Sequence, residues 1–259
     1  MALPKIAVYF VGRIDGYEDC MEQLLQIKKD YDPTFFMSLN SESRIRIFEL
    51  DYLHKFTHIL IIKEEQIVIK KTVLPEYLNE EYFAEREEFF TWDEEKKVAS
   101  FSKEKFMNRK MRFFKFNGTN IYNTYSQLYH TKLVTQHILN YQKENSMKFD
   151  VILKFRADIK YTEPLILTMP LDNTIYIPEG RDHDGGINDT VAYGNVESMI
   201  EYSKTVDNIE FMLFKNILYH PESLLKFHLT NILKINIVRF PFKTNLTDKR
   251  RLITISTSD

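Results

Sequence analysis

The opening of the chain restricts its fold more than any other feature. Lys5 to Val11 is a short apolar run with β-branched residues, stopped by Gly12, as expected of a strand buried on both faces. Tyr17 to Lys29 then places Met21, Leu24, Leu25 and Lys28 at helical spacing. Thr34 to Leu39 turns apolar again before the polar turn Asn40-Ser41-Glu42-Ser43. Strand, helix and strand in close succession predict a crossover connection and parallel pairing. The expected class is α/β, with a mixed, mainly parallel central sheet flanked by helices.

The rest of the chain extends this pattern. His58 to Ile62 and Gln66 to Lys70 are strand candidates, closed by Pro75. Residues 79–105 crowd Glu80, Glu81, Glu85, Glu87, Glu88, Asp93, Glu94 and Glu95 around Phe89, Phe90 and Trp92. They are read as an insertion or lid on the domain, with a solvated helical face as the bland and stronger alternative. Thr124 to Asn145 has the broad apolar face of a helix and leads into Phe149 to Phe155, a predicted central strand. A strand at Ile175 to Ile177, a loop from Gly180 to Gly186, and helices at Val196 to Lys204 and Pro221 to Leu229 follow, the last with proline at its start. A strand at Ile235 to Phe240 and a mostly basic tail complete the chain. No repeat or linker divides it, so residues 1–259 are read as a single domain.

Composition narrows the classes of function. The 259 residues can bury a sizeable core, and 44% hydrophobic with 28% charged residues is ordinary globular usage. A net charge of −2 argues against a general nucleic-acid binder. The single Cys20 excludes an intramolecular disulfide and a cysteine-based zinc site. No run approaches a membrane span, and the apolar N-terminal stretch is broken by Arg13 and Asp15 too soon for a secretion signal. The expected compartment is the cytoplasm, that of the host if the source is viral. On that expectation the sequons at Asn117, Asn188 and Asn245 are chance matches.

Four places could carry chemistry. Asp158 follows a hydrophobic strand, at the rim where open α/β sheets bind ligands. A carboxylate there suits Mn2+ or Mg2+, which are commonly held by one or two carboxylates plus phosphate oxygens; the bland alternative is a turn-capping Asp. Asp182-His183-Asp184-Gly185-Gly186-Ile187-Asn188-Asp189 contains a literal Asp-X-Asp, a second possible metal site. Its glycines would let backbone approach a ligand, and Asn188 and Asp189 would suit sugar hydroxyls; a surface turn is the alternative. Gly12-Arg13, between the first strand and first helix, would suit a diphosphate. His220 and His228 are possible late metal ligands, though a lone histidine is more often packed.

The order of these motifs resembles a group of GT-A-type glycosyltransferases from bacterial surface-polysaccharide loci and large DNA viruses. The matching segments are Val11-Gly12-Arg13, Phe35-Phe36-Met37-Ser38-Leu39-Asn40, Ser126-Gln127-Leu128-Tyr129, Phe149 to Asp158, Gly185 to Gly194 and His220-Pro221-Glu222. They run from residue 5 to about residue 240. The resemblance implies a GT-A-like fold in which Arg156-Ala157-Asp158 stands where many such enzymes carry Asp-X-Asp, with Arg156 in place of the first Asp.

The expected activity is transfer of a sugar from a nucleotide-sugar donor to a glycan acceptor hydroxyl, assisted by Mn2+ or Mg2+. Gly12, Arg13, Arg156 and Asp158 would bind the donor. Asp158 and His220 would hold the metal; Asp184, Gly185, Gly186 and Asn188 would meet the acceptor. Asp189 would act as the base of an inverting displacement. The rival expectations are a nucleotidyltransferase or phosphohydrolase on a similar sheet, and a non-catalytic glycan-binding or assembly protein.

Overall fold

A computed structural model of the chain describes residues 4–11, 25–40, 57–62, 68–70, 90–93, 98–101, 115–116, 119–156, 159–161 and 163–246. The described strands are β1 (Ile6–Val11), β2 (Thr34–Asn40), β3 (Thr57–Ile62), β4 (Val68–Lys70), β5 (Phe90–Asp93), β6 (Val98–Phe101), β7 (Lys115–Phe116) and β8 (Thr119–Asn120). After helix α1 (Ile121–Glu144) come β9 (Val151–Arg156), β10 (Ile159–Tyr161), β11 (Thr174–Pro178) and β12 (Val191–Gly194). Helices α2 (Val196–Ser203), α3 (Ile209–Phe214) and α4 (Pro221–Phe227) precede β13 (Asn236–Phe240) and β14 (Thr244–Leu246).

The central sheet has seven strands in the order β13-β11-β12-β9-β1-β2-β3. β9, β1, β2 and β3 pair in parallel, as do β11 and β13. β12 alone runs against both of its neighbours. The expected class, a mixed and mainly parallel sheet with flanking helices, is therefore the observed one.

Alternation along the strands builds two cores. Ile6, Val8 and Phe10 of β1 join Phe35, Met37, Leu153 and Phe155 on one face, covered by Ile27, Leu165 and Phe242. Ala7, Tyr9 and Val11 face the other way with Phe36, Ile152 and Ala192, against Val134 and Ile138 of α1, Met199 and Tyr202 of α2, and Leu225 of α4. All six residues of β1 are buried, which is why the strand is one continuous apolar run. Asn195 caps α2, its Oδ1 accepting from Ser198 N at 2.8 Å. Pro221 opens α4 where its missing N–H costs nothing.

The described residues of the acid-rich stretch at 79–105 do not form the solvated helical face expected of it: they form β5 and β6, an antiparallel pair extended by β4. Phe90-Thr91-Trp92 and Val98-Ala99-Ser100-Phe101 carry the β-branched and aromatic residues that favour strands, and the surrounding charge obscured them. The four-residue β12 also escaped the sequence reading, being too short between a loop and a helix to show a period.

Candidate functional site

The site is built on the face of the sheet that α1, α2 and α4 cover. In β9, Ile152, Lys154 and Arg156 alternate onto that face, Lys154 beside Tyr9 and Arg156 beside Val11 of β1. Lys154 is 1% exposed, and lysine is almost never so buried unless paired. Its Nζ donates to the backbone carbonyl of Asp189 and lies 5.9 Å from the centre of the Tyr202 ring. Arg156 N donates to Thr190 O at 2.9 Å, where the chain enters β12. Backbone and lysine together fix Asp189 at the C-terminal end of β9.

The loop before Asp189 is ordered by its own side chains. Asp182 Oδ1 accepts from Asn188 N at 2.8 Å and from Arg239 Nη2 at 2.9 Å. Asn188 Oδ1 accepts from Thr190 N at 2.9 Å and Thr190 Oγ1 at 2.6 Å. Gly185 adopts a left-handed φ of 68°, which glycine tolerates without penalty. Gly186 lies against α4: a Cβ there would sit 2.2 Å from the Glu222 carbonyl carbon. Ile187 N donates to Glu222 O at 3.1 Å, which ties the loop to α4.

Both oxygens of the Asp189 carboxylate are engaged. Oδ1 lies 3.3 Å from Arg156 Nη1, and Oδ2 accepts from Gln127 Nε2, reaching across from α1. The Asp189 side chain is 4% exposed and that of Arg156 19%. Burial works against the Asp189 charge, but Arg156, Lys154 and the Gln127 amide outweigh it and hold the carboxyl below its ordinary range. Glu222, in the first turn of α4, behaves oppositely. Burial, and then the Asp189 carboxylate, push it up to about 8. Glu222 Oε2 lies 2.6 Å from His220 Nδ1, a close contact that lacks the geometry of a directed hydrogen bond. Two carboxyls thus sit in one polar cluster with their acidities driven in opposite directions.

The predicted residues separate into groups. Arg156, Asn188 and Asp189 come together at the end of β9, and Gly185, Gly186 and His220 flank them along α4. The Asn188 side chain is buried, so its sequon has no room for a glycan. Gly12, Arg13, Cys20 and Asp158 lie outside the described residues, as does the Asp184 side chain. β1 nonetheless ends at Val11 beside Arg156, so the chain leaves both strands at the same edge. His228 is a packed residue, its ring nitrogens 2.8 Å from Glu201 O and 3.4 Å from Asn208 Nδ2.

Gln127, Lys154 and Glu222 also belong to the cluster, although their residue types alone did not point to it. The signal for Lys154 was a lone charge in an apolar strand, and Gln127 and Glu222 lie within the Ser126-Gln127-Leu128-Tyr129 and His220-Pro221-Glu222 segments. Chemically, the cluster offers a fixed carboxylate, a partly exposed guanidinium and an N,O pair at His220 and Glu222. Among the described residues, no group of three His, Cys, Asp or Glu side chains converges on a metal position. No described helix is long and apolar enough to cross a membrane.

No protein-family model matches the chain, and no curated protein sequence matches it. Among solved structures it is similar to galactosyltransferase LgtC in complex with donor and acceptor sugar analogs, at 11% identity and a TM-score of 0.44. That alignment covers 90% of this chain and 72% of the other.

Proposed function

We propose that the chain is a GT-A-type glycosyltransferase that moves a sugar from a nucleotide-sugar donor onto a glycan acceptor hydroxyl. The observation that carries the reading is the Arg156–Asp189–Gln127 cluster at the C-terminal ends of β9 and β1, the edge where open α/β sheets bind their ligands. Arg156, the more exposed partner, meets the donor diphosphate together with Gly12 and Arg13. Asp189 holds the Arg156 guanidinium in position through Oδ1. Because each carboxylate oxygen has two lone pairs, Oδ1 can also accept from an acceptor hydroxyl that enters beside Arg156 and take its proton. Gln127 fixes the carboxylate plane from the far side. The exposed Gly185 borders the path of the acceptor, with Asp184, while the buried Gly186 and Asn188 shape the loop from within.

Mn2+ or Mg2+ fits the donor chemistry: such ions commonly take one or two protein ligands plus phosphate oxygens, and His220 with Glu222 presents one nitrogen and one oxygen 2.6 Å apart. Asp158 and His220 would hold the ion, which when bound would neutralise charge growing on the leaving diphosphate.

The test is product identity. The chain is incubated with a panel of nucleotide sugars and glycans, with and without manganese. Nucleoside diphosphate release supports transfer; pyrophosphate release identifies a nucleotidyltransferase and overturns the reading. Asp158→Asn should remove the manganese dependence of nucleotide binding. If Asp184→Asn does so instead, the metal belongs on the loop.

A further inference from the structure

A recess of about 290 Å³ opens between the end of α3, α4 and the 183–185 turn. Its lining includes Gly185, Asn216, Ile217, Leu218, Phe227 and Asn231, with Lys226 and Ser223 at the α4 side. We propose that this recess is a subsite for a saccharide unit of the acceptor, set back from the reacting hydroxyl. The inference rests on the transferase reading for its purpose, and on the recess itself for its chemistry.

The lining combines the two surfaces a sugar ring presents. Ile217, Leu218 and the half-buried Phe227 offer an apolar floor for C–H faces. Asn216 and Asn231 are both exposed; a primary amide donates and accepts, as each sugar hydroxyl does. None of the lining residues is a carboxylate, and the Lys226 ammonium leaves the recess positive. Neutral or acidic sugars are therefore admitted and cations are not favoured. The volume lies at the low end for ligand clefts, about 300–1,000 Å³, which suits a mono- or disaccharide unit rather than a whole nucleotide sugar.

Its position joins it to the site. Lys226 Nζ donates to Gly185 O at 2.8 Å, tying α4 to the turn. The chain that borders the recess at Gly185 reaches Asp189 four residues later, at the end of β9. An acceptor seated in the recess and extended along this loop would bring its terminal hydroxyl toward Asp189.

Asn216 also has a structural duty that the experiment must respect. It ends α3 in a left-handed conformation, φ 56°, with Ile217 N donating to Met212 O at 3.0 Å. Asn216→Gly keeps that conformation while removing the amide, and is paired with Asn231→Ala. The full chain and this double variant are applied to an array of defined oligosaccharides, and nucleoside diphosphate binding is measured on both. The expected result is glycan retention by the parent, weakened about tenfold or more in the double variant, with nucleotide binding unchanged; two lost hydrogen bonds have that effect. No retention by the parent, or equal retention by the variant, overturns the subsite. The same proteins separate the two proposals. Glycan retention that depends on both amides, without nucleoside diphosphate release from any donor, keeps the recess and removes the transferase reading. Release with an acceptor KM unchanged in the variant removes the recess and keeps the transferase.

Discussion

Asp189→Asn is the sharpest perturbation of the site, because the substitution keeps the shape and removes the charge. In the parent, Oδ1 faces Arg156 Nη1 at 3.3 Å and Oδ2 accepts from Gln127. Asparagine has one oxygen for these two donors, so its NH2 must point at one of them and repel it. Breaking a fully buried ion pair costs about 3–5 kcal/mol. Arg156 retains some solvent, so we expect a smaller loss of about 2–3 kcal/mol here. A chain of this size loses roughly 2–4 °C in Tm per kcal/mol, which gives a fall of about 4–12 °C at pH 7. The acid dependence has a definite sign. Since the folded carboxyl is held below its usual value, its stabilisation is complete above the unfolded value of about 3.9 and is lost as pH falls through the folded one. Parent and variant should therefore differ by a constant amount near neutrality and converge in strong acid. Thermal melts followed by circular dichroism at several pH values measure this directly. A variant within about 1 °C of the parent at pH 7 would refute the claim that the carboxylate organises Arg156 and Gln127. In the activity assay, loss of a general base predicts a fall in turnover of about 10²- to 10⁴-fold at saturating donor, beyond any weakening of donor binding caused by the released Arg156. Turnover within a few-fold of the parent at saturating acceptor, or a product of retained configuration, would remove the base role and leave only the structural one.

Three further substitutions examine neighbouring parts. Arg156→Lys keeps the positive charge but loses the planar fork, so calorimetry should show nucleoside diphosphate binding weakened about 10- to 100-fold; an unchanged Kd would take Arg156 out of the donor site. Gly186→Ala should lower Tm by several degrees, because the new Cβ would meet Glu222 and Ser223 backbone atoms at 2.2–2.5 Å and overpacking costs about 1–3 kcal/mol or more; a parent-like melt would mean that α4 can move away from the loop. His130 lies 2.7 Å from Ser38 Oγ, and burial lowers its pKa to about 4. Its neutral form is thus favoured by folding, and stability present above the unfolded value near 6.5 should fall by up to about 3 kcal/mol as pH drops toward 4. Urea titrations of His130→Gln across that range should show a shallower acid loss, and the same slope as the parent would assign the effect to other groups.

The parts of this fold legible in the sequence were those with their environment written on them. β1 is buried along its whole length and is a continuous apolar run, and β2 and β9 are mostly apolar with few polar interruptions. α1 is long enough for its apolar face to repeat. Pro221 marks the start of α4 by its missing donor. What the sequence concealed were elements defined by their partners. β5 and β6 pair with each other inside an acidic stretch whose charge pointed to a solvated helix. The site divided in the same way. Asp189 and Arg156 could be named from their places in the chain, but the contact between Asp189 and Gln127, 62 residues apart, exists only once α1 lies across the sheet. Lys154 falls between these cases, since a lone ammonium in an apolar strand demands a buried acceptor even when the sequence does not say which.

The reversal of β12 explains why the loop reaches the C-terminal edge of β9 at all. In a parallel sheet, each strand ends at the ligand-binding edge and the next begins at the opposite one, so a loop that leads into a parallel strand ends far from the site. β12 runs the other way and starts where β9 finishes, with Val191 beside Phe155. The residues immediately before it, Asn188 to Thr190, are therefore carried to the rim beside Arg156. Lys154 then acts as a pin from within the sheet: its Nζ takes the Asp189 carbonyl, which fixes the backbone and frees the side chain to face Arg156 and Gln127. Burying an ammonium at the centre of a sheet is costly unless its partner is in place. The same lysine that positions Asp189 thus penalises any register of β12 that would move the carbonyl away. A single short strand, with one buried ammonium beside it, thus carries the loop before it to the C-terminal edge of β9.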